Sequence, residues 1–353
     1  MKKSNSVLSG LQTCTSNVTD WVIRHKFIVA PAALILLAAV PFVVTSQYVL
    51  RVMCLIGIYS ILTMSLNLIT GYMGQSSMGH AALYMMGAYF SGLLGSKLGW
   101  PFWVTLPFGI VGGAIGGLIL GVSTMKLSAS YLTVITLAFG EVVEMVVLNW
   151  NNVTNGPLGV RGIPRPEIFG WQLTTANGGF YWLMLVLVVL TIVVCTNVVN
   201  SKFGRAVRAI KEDELAAKLM GINTASYRVQ TIVLSGAIAG MAGAFYASMN
   251  RYIDAQTFSF DVSMTILCIV IFGGLGSIPG MIFGSLVLII FPEVLRSLAD
   301  YRFVVYGLLL IFMMRFRPQG LLGGLSRRPY TLPKGIVRPQ KQEDPGNREQ
   351  VTQ

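Results

Sequence analysis

Apolar positions run in blocks of about 20 residues along this chain, and polar positions collect in the gaps between them. Phe27–Ser46, Phe180–Val199 and Val229–Ser248 each continue for that length without a charged residue. At roughly 1.5 Å per residue, a helix of this kind covers a hydrocarbon core of about 30 Å. Ten candidate spans follow from the pattern: residues 27–46, 48–70, 77–95, 101–122, 130–149, 180–199, 229–248, 263–273, 280–295 and 302–315. The eighth and ninth are short and read as half-helices or a re-entrant pair. Such elements survive in lipid only where protein or a cavity covers them. The pattern predicts an all-α, polytopic integral membrane protein of about eight to ten transmembrane helices, broken or half-helices among them.

Composition agrees with the pattern: 54% of the 353 residues are hydrophobic and 11% charged, against about 25% charged in a soluble domain. With the N-terminus inside, the inner segments carry 19 Lys and Arg and the outer segments 7. This positive-inside bias predicts cytoplasmic N- and C-termini, and it makes the +12 formal charge a topology signal with no call for nucleic acid. The expected organisation is a cytoplasmic segment 1–26, a transmembrane domain 27–323 with a cytoplasmic loop 200–228, and a disordered, Pro-punctuated cytoplasmic tail 324–353. Met1–Lys26 has neither the apolar core nor the small-residue cleavage site of a signal peptide. Cys14, Cys54, Cys195 and Cys268 lie far apart, three of them in apolar runs, and suit buried small hydrophobes better than any metal.

Small residues mark close helix approach. In "FGIVGGAIGGLILGV", Gly109, Gly113, Gly117 and Gly121 recur at four-residue steps, the spacing that lets backbones pack in a bilayer. The outer loop from Asn149 to Gly179 is rich in Asn, Gly and Pro and long enough to cover an outward opening. Two Gly-rich breaks, at 71–89 and 273–289, each precede a small-residue span and hint at an internal repeat with broken helices facing each other.

Two constellations are candidates for chemistry. Glu141 and Glu144 sit at i, i+3 on one face of the fifth span. An intramembrane acid usually faces the bundle interior or an aqueous path, so they serve either a pathway or a structural hydrogen bond. Gln75, Ser76, Ser77 and His80 follow the glycines at 71 and 74. They either line a translocation pathway, holding a ligand's polar end, or satisfy backbone groups freed by the break. The chain has no GxxxxGK[ST], GxSxG, HExxH or Cys/His ligand set, which argues against an enzyme and against ATP hydrolysis through a P-loop.

"SKFGRAVRAIKEDELAAKLMGINTASYR", residues 201–228, sets six basic and three acidic residues between apolar spans. Asp213 is a good N-cap, Glu214 suits a first turn and Gly221 a C′ position. Between them "ELAAKLM" makes a two-turn helix with Leu215 and Leu219 at i, i+4, suited to docking in a partner's groove. The basic first half serves as a topology determinant.

"RAIKEDELAAKLMGIN" resembles the coupling loop of ATP-binding cassette importer permeases of the branched-chain amino acid family, LivM type. Ala216, Ala217 and Gly221 keep the spacing of the importer signature E-A-A-x-x-x-G, whereas Leu215 stands at its Glu place, with Glu214 one residue earlier. "GYMGQSSMGHAALYMMGAY", "SASYLTVITLAFGEVVEMVVLNWNNVTNGPLGVRGIP", "FGGLGSIPGMIFGSLVLIIFPEVLR" and "RFRPQGLLGG" resemble further family blocks in the same order, over about residues 48–323. Asn155-Gly156-Pro157 departs from the family's Gly-Gly and implies a differently shaped outer loop.

The resemblance implies a transport subunit in the inner (plasma) membrane of a prokaryote. It would pair with a homologous second permease, with two ATPase subunits that hold ATP and Mg, and with an extracytoplasmic substrate-binding protein. The substrates implied are branched-chain or other hydrophobic amino acids. A urea or short-amide permease, or an ion-coupled secondary transporter using Glu141, are the alternatives. The ATPase-coupling residues would be Asp213, Glu214, Leu215, Ala216, Ala217, Leu219 and Gly221.

Overall fold

The computed structural model describes residues 46–125, 129–168, 171–175 and 177–294, with residue 41 and scattered positions from 304 to 321. The segment 1–26, nearly all of the span at 27–46, half of the span at 302–315 and the tail 324–353 lie outside the described residues.

The helices, in chain order, are α1 (Gln47–Asn67), α2 (His80–Leu98), α3 (Phe102–Thr124), α4 (Ala129–Asn149), α5 (Asn151–Thr154), α6 (Gly179–Asn200), α7 (Lys202–Glu212), α8 (Glu214–Leu219), α9 (Thr224–Asn250), α10 (Phe260–Gly273) and α11 (Ile278–Val294). Among the described residues, six stretches are long and apolar enough to cross a membrane: Gln47–Tyr72, Phe102–Thr124, Tyr131–Asn149, Gly179–Asn200, Thr224–Asn250 and Gln256–Gly273. The chain is an all-α polytopic membrane protein. α2 is 19 residues long but not among the six. It packs against both α3 and α9 with most of its side chains buried, so it needs little of the apolarity that lipid demands of an outer helix.

Glycine decides how the centre packs. A β-carbon on Gly113 would lie 2.2 Å from the Gly236 carbonyl oxygen, and one on Gly87 would lie 2.2 Å from Gly240 Cα. Gly109 meets Ala244, Gly117 meets the Ile232 carbonyl and Gly121 meets Val229. The four-residue ladder of α3 therefore runs along α9, and α2 joins at Gly240. Backbones approach where side chains would otherwise keep them apart.

α10 and α11 hold 14 and 17 residues and are joined by a turn at 274–277. With the 3₁₀ turn Gln256–Phe258 before it, α10 belongs to a stretch of spanning length rather than to a half-helix. At the end of the bundle away from the charged 201–228 loop, four strands of two residues each, among the described residues, tie loops together. β1 (Val160–Arg161) pairs with β4 (Tyr252–Ile253), and β2 (Glu167–Ile168) with β3 (Trp171–Gln172). Such short strands carry no periodicity that a sequence reading could detect. Asn155 and Gly156 take positive φ of 60° and 53°, which gives the Asn-Gly-Pro segment a tight turn of its own. Cys54, Cys195 and Cys268 are buried free thiols.

Candidate functional site

The two glycine-rich breaks meet. α1 runs into a π-helical turn, Leu68–Tyr72, and the chain then leaves helical structure until His80 begins α2. The Asn67 side-chain oxygen accepts from the Gly276 N–H at 2.8 Å, and the Tyr72 hydroxyl donates to the Gly276 carbonyl at 2.7 Å. A β-carbon on Gly71 would sit 2.5 Å from Gly276 N, so only glycine lets the second break come this close.

The first break is pinned on several sides. Met78 N–H donates to Thr136 Oγ1 at 3.0 Å and Thr133 donates to the Ser76 carbonyl at 3.1 Å, fixing it along α4. Ala81 N–H donates to Ser263 of α10. His80 shares a 2.6 Å hydrogen bond with Ser65, whose carbonyl accepts from Ser235 of α9. Gln75, Ser77 and His80 are buried, whereas Ser76 is exposed. Four buried side-chain atoms here have no partner among the described residues: Asn67 Nδ2, Thr70 Oγ1, Ser77 Oγ and His80 Nδ1. Each such group costs about 1–3 kcal/mol, so this break is a poorly satisfied arrangement.

Glu141 and Glu144 lie beyond Gly140, which approaches Gly79. Glu141 is exposed on the chain's surface and Glu144 half-buried. Only 17% of the α4 span is buried within the chain, against 78% for Gln47–Tyr72. The two acids share a face with much open surface.

The charged loop folds into two helices. α7 is amphipathic, with Gly204, Val207 and Ile210 turned inward. α8 begins at Asp213, whose carboxylate accepts from Ala216 N–H at 2.9 Å, and ends before Gly221, whose φ of +85° favours glycine. Leu215, Leu219 and Met220 are 69%, 79% and 84% exposed, and Ala216 is exposed beside them. Ala217 is only 5% exposed, so it seats the helix on the protein and is not part of the exposed edge.

Sequence reasoning missed the contacts behind this loop. Arg228, in the early turns of α9 and 6% exposed, pairs with Glu214. With the Gln75 amide oxygen facing it, Arg228 also donates to Gln75 from Nε at 3.0 Å and Nη2 at 3.2 Å. Lys211 donates to the Gly71 carbonyl at 2.7 Å. The amphipathic spacing of Phe203, Val207 and Ile210 was a usable signal for α7. Nothing in the local sequence pointed to the partners of Arg228. At the far end, Arg161 and Arg251 flank a cleft of about 370 Å³ with Gly162 and Tyr252.

Many spanning helices, facing breaks at the centre and a helical loop exposed at one end define a membrane permease. The chain belongs to the family described as "Branched-chain amino acid transport system / permease component", whose sequence model matches residues 48–314. It is 33% identical to the high-affinity branched-chain amino acid transport system permease protein LivM of Escherichia coli (strain K12), over 91% of this chain and 80% of that one. The permease protein LivH of the same system and organism is 27% identical over 75% of this chain and 91% of its own. A fructose import permease protein, FrcC of Rhizobium meliloti, is 27% identical over 65% and 66%. The chain is thus a transport permease subunit rather than an enzyme.

Proposed function

We propose that this chain forms one half of the translocation path of an ATP-binding cassette importer for branched-chain or other hydrophobic amino acids, in a prokaryotic inner membrane. The observation that carries the reading is the capped helix α8, which exposes Leu215, Leu219 and Met220 beside a charged loop. Exposed leucines on a short helix held between two spans suit a partner's groove. The partner there is an ATPase that holds ATP and Mg²⁺, and the loop end is the cytoplasmic one. The open, acid-bearing face of α4 meets a second, homologous permease, because a carboxylate facing lipid costs at least a few kcal/mol. LivM and LivH are both named as permeases of one system, which supports such a pairing. An extracytoplasmic binding protein delivers substrate at the Arg161–Arg251 end.

Transport then works by differential binding. ATP-driven closure of the ATPases shifts α8, and the bundle exchanges inward- and outward-facing states.

The test is a Leu215→Asp, Leu219→Asp double variant co-expressed with the ATPases. Burying a leucine contributes about 1.5–3 kcal/mol, so losing both weakens docking by roughly two to four decades. Co-purification of the ATPase is lost while membrane insertion persists. Unchanged co-purification would reject the docking reading. Uptake by the chain alone, driven by an ion gradient, would establish a secondary transporter instead.

A further inference from the structure

We propose that the Met73–Gly79 break is the element through which movement of α8 enters the bundle, with Arg228 and Lys211 as the positioning residues that transmit it. The inference rests on the docking of α8 proposed above. Two clamps join the charged loop to this region, one at the break itself and one at the π-helical turn that leads into it. Arg228 holds Glu214, the first residue of α8, on one side and Gln75 of the break on the other. Lys211, at the end of α7, holds the Gly71 carbonyl in the π-helical turn, and its stem lies against Gly74.

From the break and the turn before it, further hydrogen bonds fan out to the spans. They run through Thr133 and Thr136 to α4, through Asn67 and Tyr72 to the second break at Gly276, and from the adjoining α2 start through Ser263 to α10 and Ser65 to α1. α4 carries the open face with Glu141 and Glu144, so a shift of the break reaches the face proposed to meet the second permease.

The break is also suited to having a second arrangement. It has no regular backbone ladder between Met73 and Gly79, it follows a π-helical turn, and among the described residues Ser77 Oγ within it and Asn67 Nδ2, Thr70 Oγ1 and His80 Nδ1 beside it have no hydrogen-bond partner. A switching element needs two discrete packings of similar energy, and a segment with unsatisfied groups in one packing can gain hydrogen bonds in the other.

The experiment uses the complete transporter in proteoliposomes: both permeases, the ATPases and the binding protein. Arg228→Lys keeps a cation for Glu214, but a single ammonium lacks the planar fork that serves Glu214 and Gln75 together. Lys211→Met keeps the stem and removes the donor to Gly71. The measurement is substrate moved per ATP hydrolysed, alongside ATPase co-purified per permease. Both variants should lower that ratio by about 2- to 30-fold, with co-purified ATPase at the parental level. A parental ratio in both variants overturns the proposal. So does a loss of transport matched by an equal loss of hydrolysis, which is what a purely structural role would give. Should Arg228→Lys melt early, Lys211→Met decides alone, because Lys211 is on the surface. If ATPase fails to co-purify with the parent chain, the docking reading fails, and that outcome is distinct from any change in the ratio.

Discussion

Gly113→Ala adds one methyl group where α3 and α9 touch through their backbones. The new β-carbon would sit 2.2 Å from the Gly236 carbonyl oxygen and 2.7 and 2.9 Å from Gly240 Cα and N, where ordinary contact begins at 3.4 Å. All three neighbours are backbone atoms, so no side chain can rotate away and the helices must part by about an ångström. Overpacking of this kind costs about 1–3 kcal/mol. Alanine's better helix propensity returns about 0.8–1.0 kcal/mol. At Gly113 the clash wins. At Gly121 the β-carbon would meet Val229 Cα at 3.2 Å, close enough to ordinary contact that a few tenths of an ångström relieve it, and propensity wins. In detergent, Gly113→Ala should therefore melt several degrees below the parent, and Gly121→Ala at or above it. A thiol-reactive dye reports the transition through the buried Cys54, Cys195 and Cys268 in a Cys14→Ser background. Equal melting of the two variants, or Gly113→Ala at the parental temperature, would refute the assignment of α3–α9 contact to this ladder.

Asp213→Ala removes the N-cap of α8 and should destabilise that short helix by about 1 kcal/mol, read as faster hydrogen exchange at residues 214–219; unchanged exchange there would show that the cap is idle. Glu141→Gln should lower uptake while leaving the melting temperature of the purified chain unchanged, because the side chain is exposed within the chain. Normal uptake would leave Glu141 without a transport role.

The spans were legible because apolarity and length are local properties. α3, α4 and α6 fall within a few residues of the blocks read at 101–122, 130–149 and 180–199. α2 starts three residues later than the block at 77–95, because non-helical backbone continues as far as Gly79. α9 reaches from Thr224 to Asn250, beyond the block at 229–248, and the reason is Arg228. A segmentation by apolarity excludes an arginine from a span, yet this one is buried because Glu214 and Gln75 receive its donors. Those partners lie 14 and 153 residues away in sequence, and no local pattern announces a contact at that distance. For the same reason, the two glycine breaks could be read as similar, but their meeting at Gly276 depends on how α10 packs.

The inner face of the charged loop bears on how force would travel through it. A helix tied to its protein only by exposed ion pairs, each contributing about 0–1 kcal/mol, would swing without moving anything beneath it. Removing one partner of a buried pair costs about 3–5 kcal/mol. The Arg228–Glu214 pair stands between these limits, with side chains 7% and 45% exposed. Its buried half faces Gln75 and the break, and its open half faces the surface on which Leu215, Leu219 and Met220 lie. Lys211 adds a second attachment from a different helix, to the Gly71 carbonyl, so on the proposal above a movement of α8 carried through α7 would also reach Gly71. On the proposal above, attachments to the break and to the π-helical turn before it would turn rotation of a surface helix into displacement of the break. Lys211 and Arg228 thus make contacts beneath the loop that a count of positive charges does not reveal, and these are the contacts through which the proposed coupling would act.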